Sequence, residues 1–128
     1  MLLGGEIHMA SASLAGRTVL VVEDEPLLAL HICEQLQREG ASVLSAHTLA
    51  AGLQLANHPD ISVAVLDFGL SDGDGTAICE RLKGRGVPFV LHSGYDHVPV
   101  AYPAGIVLPK PATPEQLVDA VIKALHAC

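Results

Sequence analysis

Two textures of hydrophobic residues alternate along the chain. In the first, short runs are dense in β-branched and aliphatic side chains: 17–22 (RTVLVV), 41–46 (ASVLSA), 61–66 (ISVAVL), 87–92 (VPFVLH) and 106–108. The run at 61–66 has no wet face, so it reads as a strand buried on both sides, the kind found inside a parallel sheet. The run at 17–22 is like it, and the other three are shorter strand candidates. In the second texture, apolar residues recur at helical spacing. Leu28, Ile32 and Leu36, with Cys33 beside them, form a stripe over 26–39 that Pro26 opens and Gly40 closes. Thr48 is a candidate N-cap for Leu49, Gly52, Leu53 and Ala56, a face that Pro59 stops. Ile78, Cys79 and Leu82 define a third helix over 76–83, ended by Gly84 and Gly86. Thr113, Pro114 and Gln116 match N-cap, first-turn proline and capping-box positions ahead of Leu117, Val118, Val121, Ile122 and Leu125. Between the fourth and fifth strands, Pro99 and Pro103 leave room for at most a turn or two of helix.

Strand and helix therefore alternate, β-α-β-α-β-α-β-(weak α)-β-α, which predicts an α/β domain with a five-stranded parallel sheet and helices on both faces. Ligands of such sheets bind in the crevice outside the carboxyl ends of the strands. The polar residues at those ends carry the chemistry. The first strand runs into Glu23, Asp24 and Glu25, the third ends in Asp67, the fourth in Ser93, and Lys110 follows the fifth between two prolines. Beyond Asp67, Gly69, Gly73 and Gly75 with Ser71, Asp72 and Asp74 make a loop and not more strand. Carboxylates crowded in one cleft raise each other's pKa unless a cation sits among them. Carboxylate oxygens with room for water suit Mg2+, Lys110 can neutralise a phosphoryl group, and the Ser93 hydroxyl can donate to one.

Composition narrows the partners. A chain of 128 residues supports one domain, and with 50% apolar but only 3% aromatic residues its core must be aliphatic. A net charge of −7 argues against nucleic acid or anionic membrane as direct partners, since both demand a basic footprint. Cys33, Cys79 and Cys128 are odd in number and lack CxxC spacing, which points away from disulfides and zinc and toward a reducing cytoplasm, with Cys33 and Cys79 as core residues. No run is long enough for a membrane span, and the Gly/Ala/Ser-rich residues 1–16 lack the features of a secretory signal and read as a disordered leader.

Four motifs, VVEDEP at 21–26, VLDFGLSDGDG at 65–75, HSG at 92–94 and LPKP at 108–111, together resemble the receiver (response regulator, chemotaxis-regulator-like) domain of bacterial two-component signalling. The resemblance covers 17–128 and implies a doubly wound, flavodoxin-like sheet of strand order 2-1-3-4-5. It implies that Asp67 accepts a phosphoryl group from a histidine kinase or histidine phosphotransfer protein. Glu23, Asp24, Asp67 and the backbone carbonyl of Gly69 would hold Mg2+, Lys110 would pair with the phosphoryl group, and Ser93 would turn toward it. The signal would leave through the fourth strand, the weak helix and the fifth strand to a downstream protein target. Such a protein is a phosphoprotein and not a turnover enzyme.

Three positions depart from the family pattern. Val107 stands where an aromatic switch is common, Ser71 replaces a frequent loop proline, and Tyr95 is a candidate for the missing moving aromatic. The chain closes at Cys128 just after the last helix, which suits a stand-alone receiver or a piece of a longer regulator. Two other readings are weighed: a degenerate receiver acting as a phosphorylation-independent interaction module, and a haloacid-dehalogenase-like phosphatase with Asp72 of DGDGT as nucleophile. The second lacks the expected placement directly after the first strand. An EF-hand is rejected, because Gly75 at the turn position would put Leu70 and Arg81 at ligand positions. Asp72 and Asp74 are expected to shape the loop or cap the third helix, Glu25 to complement a helix dipole, and His92 to be a strand-end residue placed to tune the pocket beside Ser93.

Overall fold

The structure, a computed structural model, describes residues 13–70, 72–93 and 105–126. The expectations for the weak helix at 94–104, for Ser71, Tyr95 and Cys128, and for residues 1–12 lie outside these described residues.

The described elements are β1 (Thr18–Val22), α1 (Pro26–Arg38), β2 (Ser42–Ala46), α2 (Leu49–Leu55), β3 (Ile61–Asp67), β4 (Gly69–Leu70), β5 (Gly73–Asp74), α3 (Thr76–Gly84), β6 (Phe89–Ser93), β7 (Gly105–Pro109) and α4 (Pro114–Leu125). Five strands form one parallel sheet in the order β2-β1-β3-β6-β7, the expected 2-1-3-4-5 arrangement. In place of the expected open loop after Asp67, β4 and β5 form a small antiparallel ribbon. Gly73, at φ +143, supplies a backbone conformation that other residues rarely adopt, and this lets the chain return within six residues.

The pleat sorts the core into two layers. Leu20, Val22, Ala64, Leu66, Phe89 and Leu91 face α3 through Ile78, Cys79 and Leu82. Val19, Val21, Val63, Val65 and Val90 face α1 and α4 through Ile32, Leu36, Leu117 and Val121. On the first side, α2 packs close enough that a Cβ on Gly52 would stand 2.8 Å from Ile78 Cδ1 and 3.1 Å from Val22 Cγ1. The glycine in the middle of that helix therefore serves close approach to the sheet and to α3, despite its low helix propensity.

One residue of the expected leader packs into the core. Residues up to Gly16 were expected in the leader, but Leu14 is fully buried in the second layer, and its N–H donates to the Glu39 carbonyl at 2.7 Å. A single apolar residue in a Gly/Ala/Ser-rich stretch carries no periodicity, so nothing local in the sequence signals its burial.

Candidate functional site

Each layer of the sheet dictates which strand-end side chains meet. Along β1, β3 and β6 the series Val19-Val21-Glu23, Val63-Val65-Asp67 and Val90-His92 continue one face. Asp67 is the register partner of His92, and Glu23 lies one step beyond the Val22–Leu66 pair. Glu23, Asp67 and His92 thus arrive side by side, each buried to 3% exposure or less.

The Glu23 backbone is held firmly: its N–H donates to the Ala46 carbonyl at 3.0 Å, and the Glu23 carbonyl lies 3.0 Å from His47 Nδ1. Its side-chain Oε2 accepts from the Glu25 N–H at 3.1 Å. Two donors converge on Asp67 Oδ1, the Lys110 ammonium at 2.9 Å and the Gly69 N–H at 3.2 Å. The Lys110 N–H donates to the Ser93 carbonyl at 2.8 Å, so the chain after β7 is tied to the end of β6 and the ammonium is aimed at β3. Glu23, Asp67, Gly69 and Lys110 line a cleft of about 430 Å³ together with Asp24, His92 and Leu28.

Burial and crowding show in the protonation of the site. Glu23 is pushed up to about 7, first by burial and then by the neighbouring Asp67 carboxylate, against the pull of the Glu25 N–H and Lys110. Burial alone would lower the Lys110 ammonium, but the hydrogen bond and charge of Asp67, with Glu23 and Asp24 behind it, carry it upward on balance. His92 is lowered, mainly by burial and then by Lys110, against the pull of Asp67. One carboxylate oxygen each from Glu23, Asp24 and Asp67 lies within 4.8 Å of the others. Three hard oxygen donors this close, one of them raised by burial and by its Asp67 neighbour, fit a small divalent cation that would relieve their repulsion.

Of the residues expected at the site, the structure brings Glu23, Asp24, Asp67, Gly69 and Lys110 into one cleft. Ser93 is buried at the end of β6, where its carbonyl accepts from the Lys110 N–H, and its neighbour His92 lines the cleft wall. Asp74 caps α3, accepting from the Thr76 N–H at 3.0 Å, as expected. Asp72 does not cap that helix. It reaches back to the N-terminus of α2, where its carboxylate accepts from Leu49 N–H at 2.8 Å and Ala50 N–H at 3.4 Å. These hydrogen bonds lower both carboxyls, Asp72 through Leu49 and Asp74 through Thr76. The residue a dehalogenase-type phosphatase would need as nucleophile is therefore exposed, outside the cleft and engaged as a helix cap. Burial pushes the Cys79 thiol up to about 12 and Cys33 upward as well, so both behave as core residues and not as thiolates.

A doubly wound parallel sheet with an acid cluster and a lysine at its carboxyl edge defines a class of signalling domain. The chain belongs to the response regulator receiver domain family, whose family model matches residues 19–122. It is 29% identical over 125 residues to the acid tolerance regulatory protein ActR of Rhizobium meliloti (strain 1021), covering 91% of this chain and 64% of ActR, so it spans less than two thirds of that relative. Its fold superposes on the crystal structure of a response regulator receiver protein from Sinorhizobium medicae WSM419 with a TM-score of 0.75 at 26% identity, over 88% of this chain and 96% of that one. The receiver domain of the hybrid histidine kinase CckA is similar at a TM-score of 0.71 and 26% identity, over 84% and 98%. Among the described residues, no helix is long and apolar enough to cross a membrane.

Proposed function

We propose that the domain takes a phosphoryl group onto Asp67 from a phosphohistidine of a histidine kinase or phosphotransfer protein. An Asp67 carboxylate oxygen attacks phosphorus in line, the O–P bond forms as the P–N bond breaks, and the donor imidazole departs and takes a proton from solvent. The observation that supports this most directly is the Lys110–Asp67 ion pair, 2.9 Å long, with the Asp67 side chain 2% exposed among acids. Lys110 and the Gly69 N–H orient the carboxylate, and the ammonium offsets the charge that accumulates on the transferring group. Glu23, Asp24 and Asp67, with the Gly69 carbonyl, would hold Mg2+, which supplies further charge neutralisation when bound. Ser93, at the end of β6, would donate to the phosphoryl group, and the change would reach a downstream protein through the side formed by β6 and β7.

On this reading the domain is a cytoplasmic phosphoprotein that makes and loses one covalent bond and does not turn over substrate. The acidic balance of the chain supports protein partners over nucleic acid or membrane. Incubation with acetyl phosphate and Mg2+, followed by phosphate-affinity electrophoresis, is expected to give one phosphorylated species that EDTA and Asp67→Asn both eliminate. Labelling that persists in Asp67→Asn would overturn the assignment.

A further inference from the structure

His92 is a buried polar side chain of the cleft wall whose ring nitrogens are unbonded among the described residues. It is 2% exposed, and neither Nδ1 nor Nε2 has a hydrogen-bond partner there. An imidazole in either tautomer carries one N–H donor and one acceptor, and burying both unmade disfavours the resting fold. A leucine would fill this position on β6 without that cost, as Val90 does two residues earlier on the same face. The geometry around His92 shows where the missing bonds form. It is the register partner of Asp67 in a parallel pair, so the two side chains project from the same face of adjacent strands, and both line the same cleft. Phosphorylation of Asp67 would place three strong acceptor oxygens in that cleft.

We propose that His92 is a positioning residue for the phosphoryl group: its ring N–H donates to a phosphoryl oxygen of the Asp67 aspartyl phosphate, a bond the resting state lacks. The inference rests on Asp67 being the phospho-acceptor. Its consequence is that the side chain destabilises the resting domain and stabilises the phosphorylated one, which biases the equilibrium between the two toward the signalling state.

The test uses beryllofluoride with Mg2+ as the probe, titrated into wild type, His92→Leu, His92→Gln and Asp67→Asn and followed by amide NMR, with a thermal melt of each protein before addition. His92→Leu is expected to bind beryllofluoride about 10-fold more weakly than wild type, as loss of a hydrogen bond to a charged group implies, while melting at a higher temperature in the probe's absence. His92→Gln, which keeps a donor, is expected to recover most of the affinity, and Mg2+ affinity is expected to be the same in all three. Wild-type affinity in His92→Leu would overturn the proposal. So would a lowered melting temperature in that variant with no recovery by His92→Gln, which would make His92 a packing residue. If beryllofluoride gives no Asp67-dependent shifts in wild type, the phospho-acceptor reading itself fails and takes this inference with it.

Discussion

The cleft at the ends of β1 and β3 and the ribbon formed by β4 and β5 are both built around carboxylates, and Asp67 stands only five residues before Asp72. They treat those carboxylates in opposite ways. In the cleft, Glu23, Asp24 and Asp67 are packed with fewer cations than acids, and Glu23 is driven up to about 7. In the ribbon, Asp72 and Asp74 stand in solvent and receive backbone N–H groups at the starts of α2 and α3, which lowers both. Satisfied acids at helix N-termini hold a fold together. Crowded, buried acids store repulsion that a cation or a phosphoryl transfer can use. What separates function from architecture here is the environment of each carboxylate and not its residue type.

The comparison can be broken from the cleft side with the largest effect. Asp67→Asn removes the acceptor and one of the like charges at once, so phosphorylation is expected to vanish in an acetyl phosphate assay, and Glu23 is expected to titrate lower by NMR. The second effect is a dependence of stability on pH. Glu23 holds its proton more tightly folded than unfolded, so between its ordinary 4.5 and about 7 the folded protein carries the extra proton, and stability falls as pH rises through that window. Thermal melts in EDTA should show this contribution fade from pH 5 to pH 8. Mg2+ should raise the melting temperature at pH 8 and do little at pH 5, where protons compete for the same oxygens. Equal Mg2+ effects at both pH values would contradict the assignment of Glu23 to the cluster.

The ribbon side should respond more mildly. Gly73→Ala would force a Cβ onto a backbone at φ +143 and to 2.9 Å from Leu49 Cδ2. Strain of about 1–3 kcal/mol is expected in denaturant melts. Asp72→Ala should have the smallest effect, a drop in melting temperature on the order of a few degrees from the lost cap of α2, with Asp67 phosphorylation unchanged. Because the Asp72 carboxyl is lowered on folding, its contribution is present above the ordinary carboxylate range and disappears as pH falls. The difference between wild type and Asp72→Ala should therefore shrink in acid.

Much of the architecture was legible because it rests on local rules. The Thr113–Gln116 capping box forms with both of its bonds, Gln116 N–H to Thr113 Oγ1 at 3.1 Å and Thr113 N–H to Gln116 Oε1 at 2.8 Å. Thr48 caps α2 through Ala51 N–H at 3.1 Å. Runs such as ISVAVL became buried strands, and the motifs at their ends carry Glu23, Asp24, Asp67, Gly69 and Lys110, which line one cleft. Legibility failed where partners are distant in the chain. The burial of Leu14 depends on the end of α1. The reach of Asp72 to α2 spans 23 residues, and no spacing rule links the two.

Sequence alone therefore determined the order of strands and helices, the caps, the breaks at proline and glycine, and which residues stand at the strand ends, since each depends on backbone conformations a few residues long. Tertiary structure decided which of those ends touch: that His92 lines the cleft with the acids, that Asp72 serves α2, and that Glu23 is buried deeply enough, beside Asp67, to be pushed up to about 7. Parallel strands are joined only by long crossovers, so their neighbours and relative register are set by how the whole sheet packs, and the chemistry of the cleft exists only once it has.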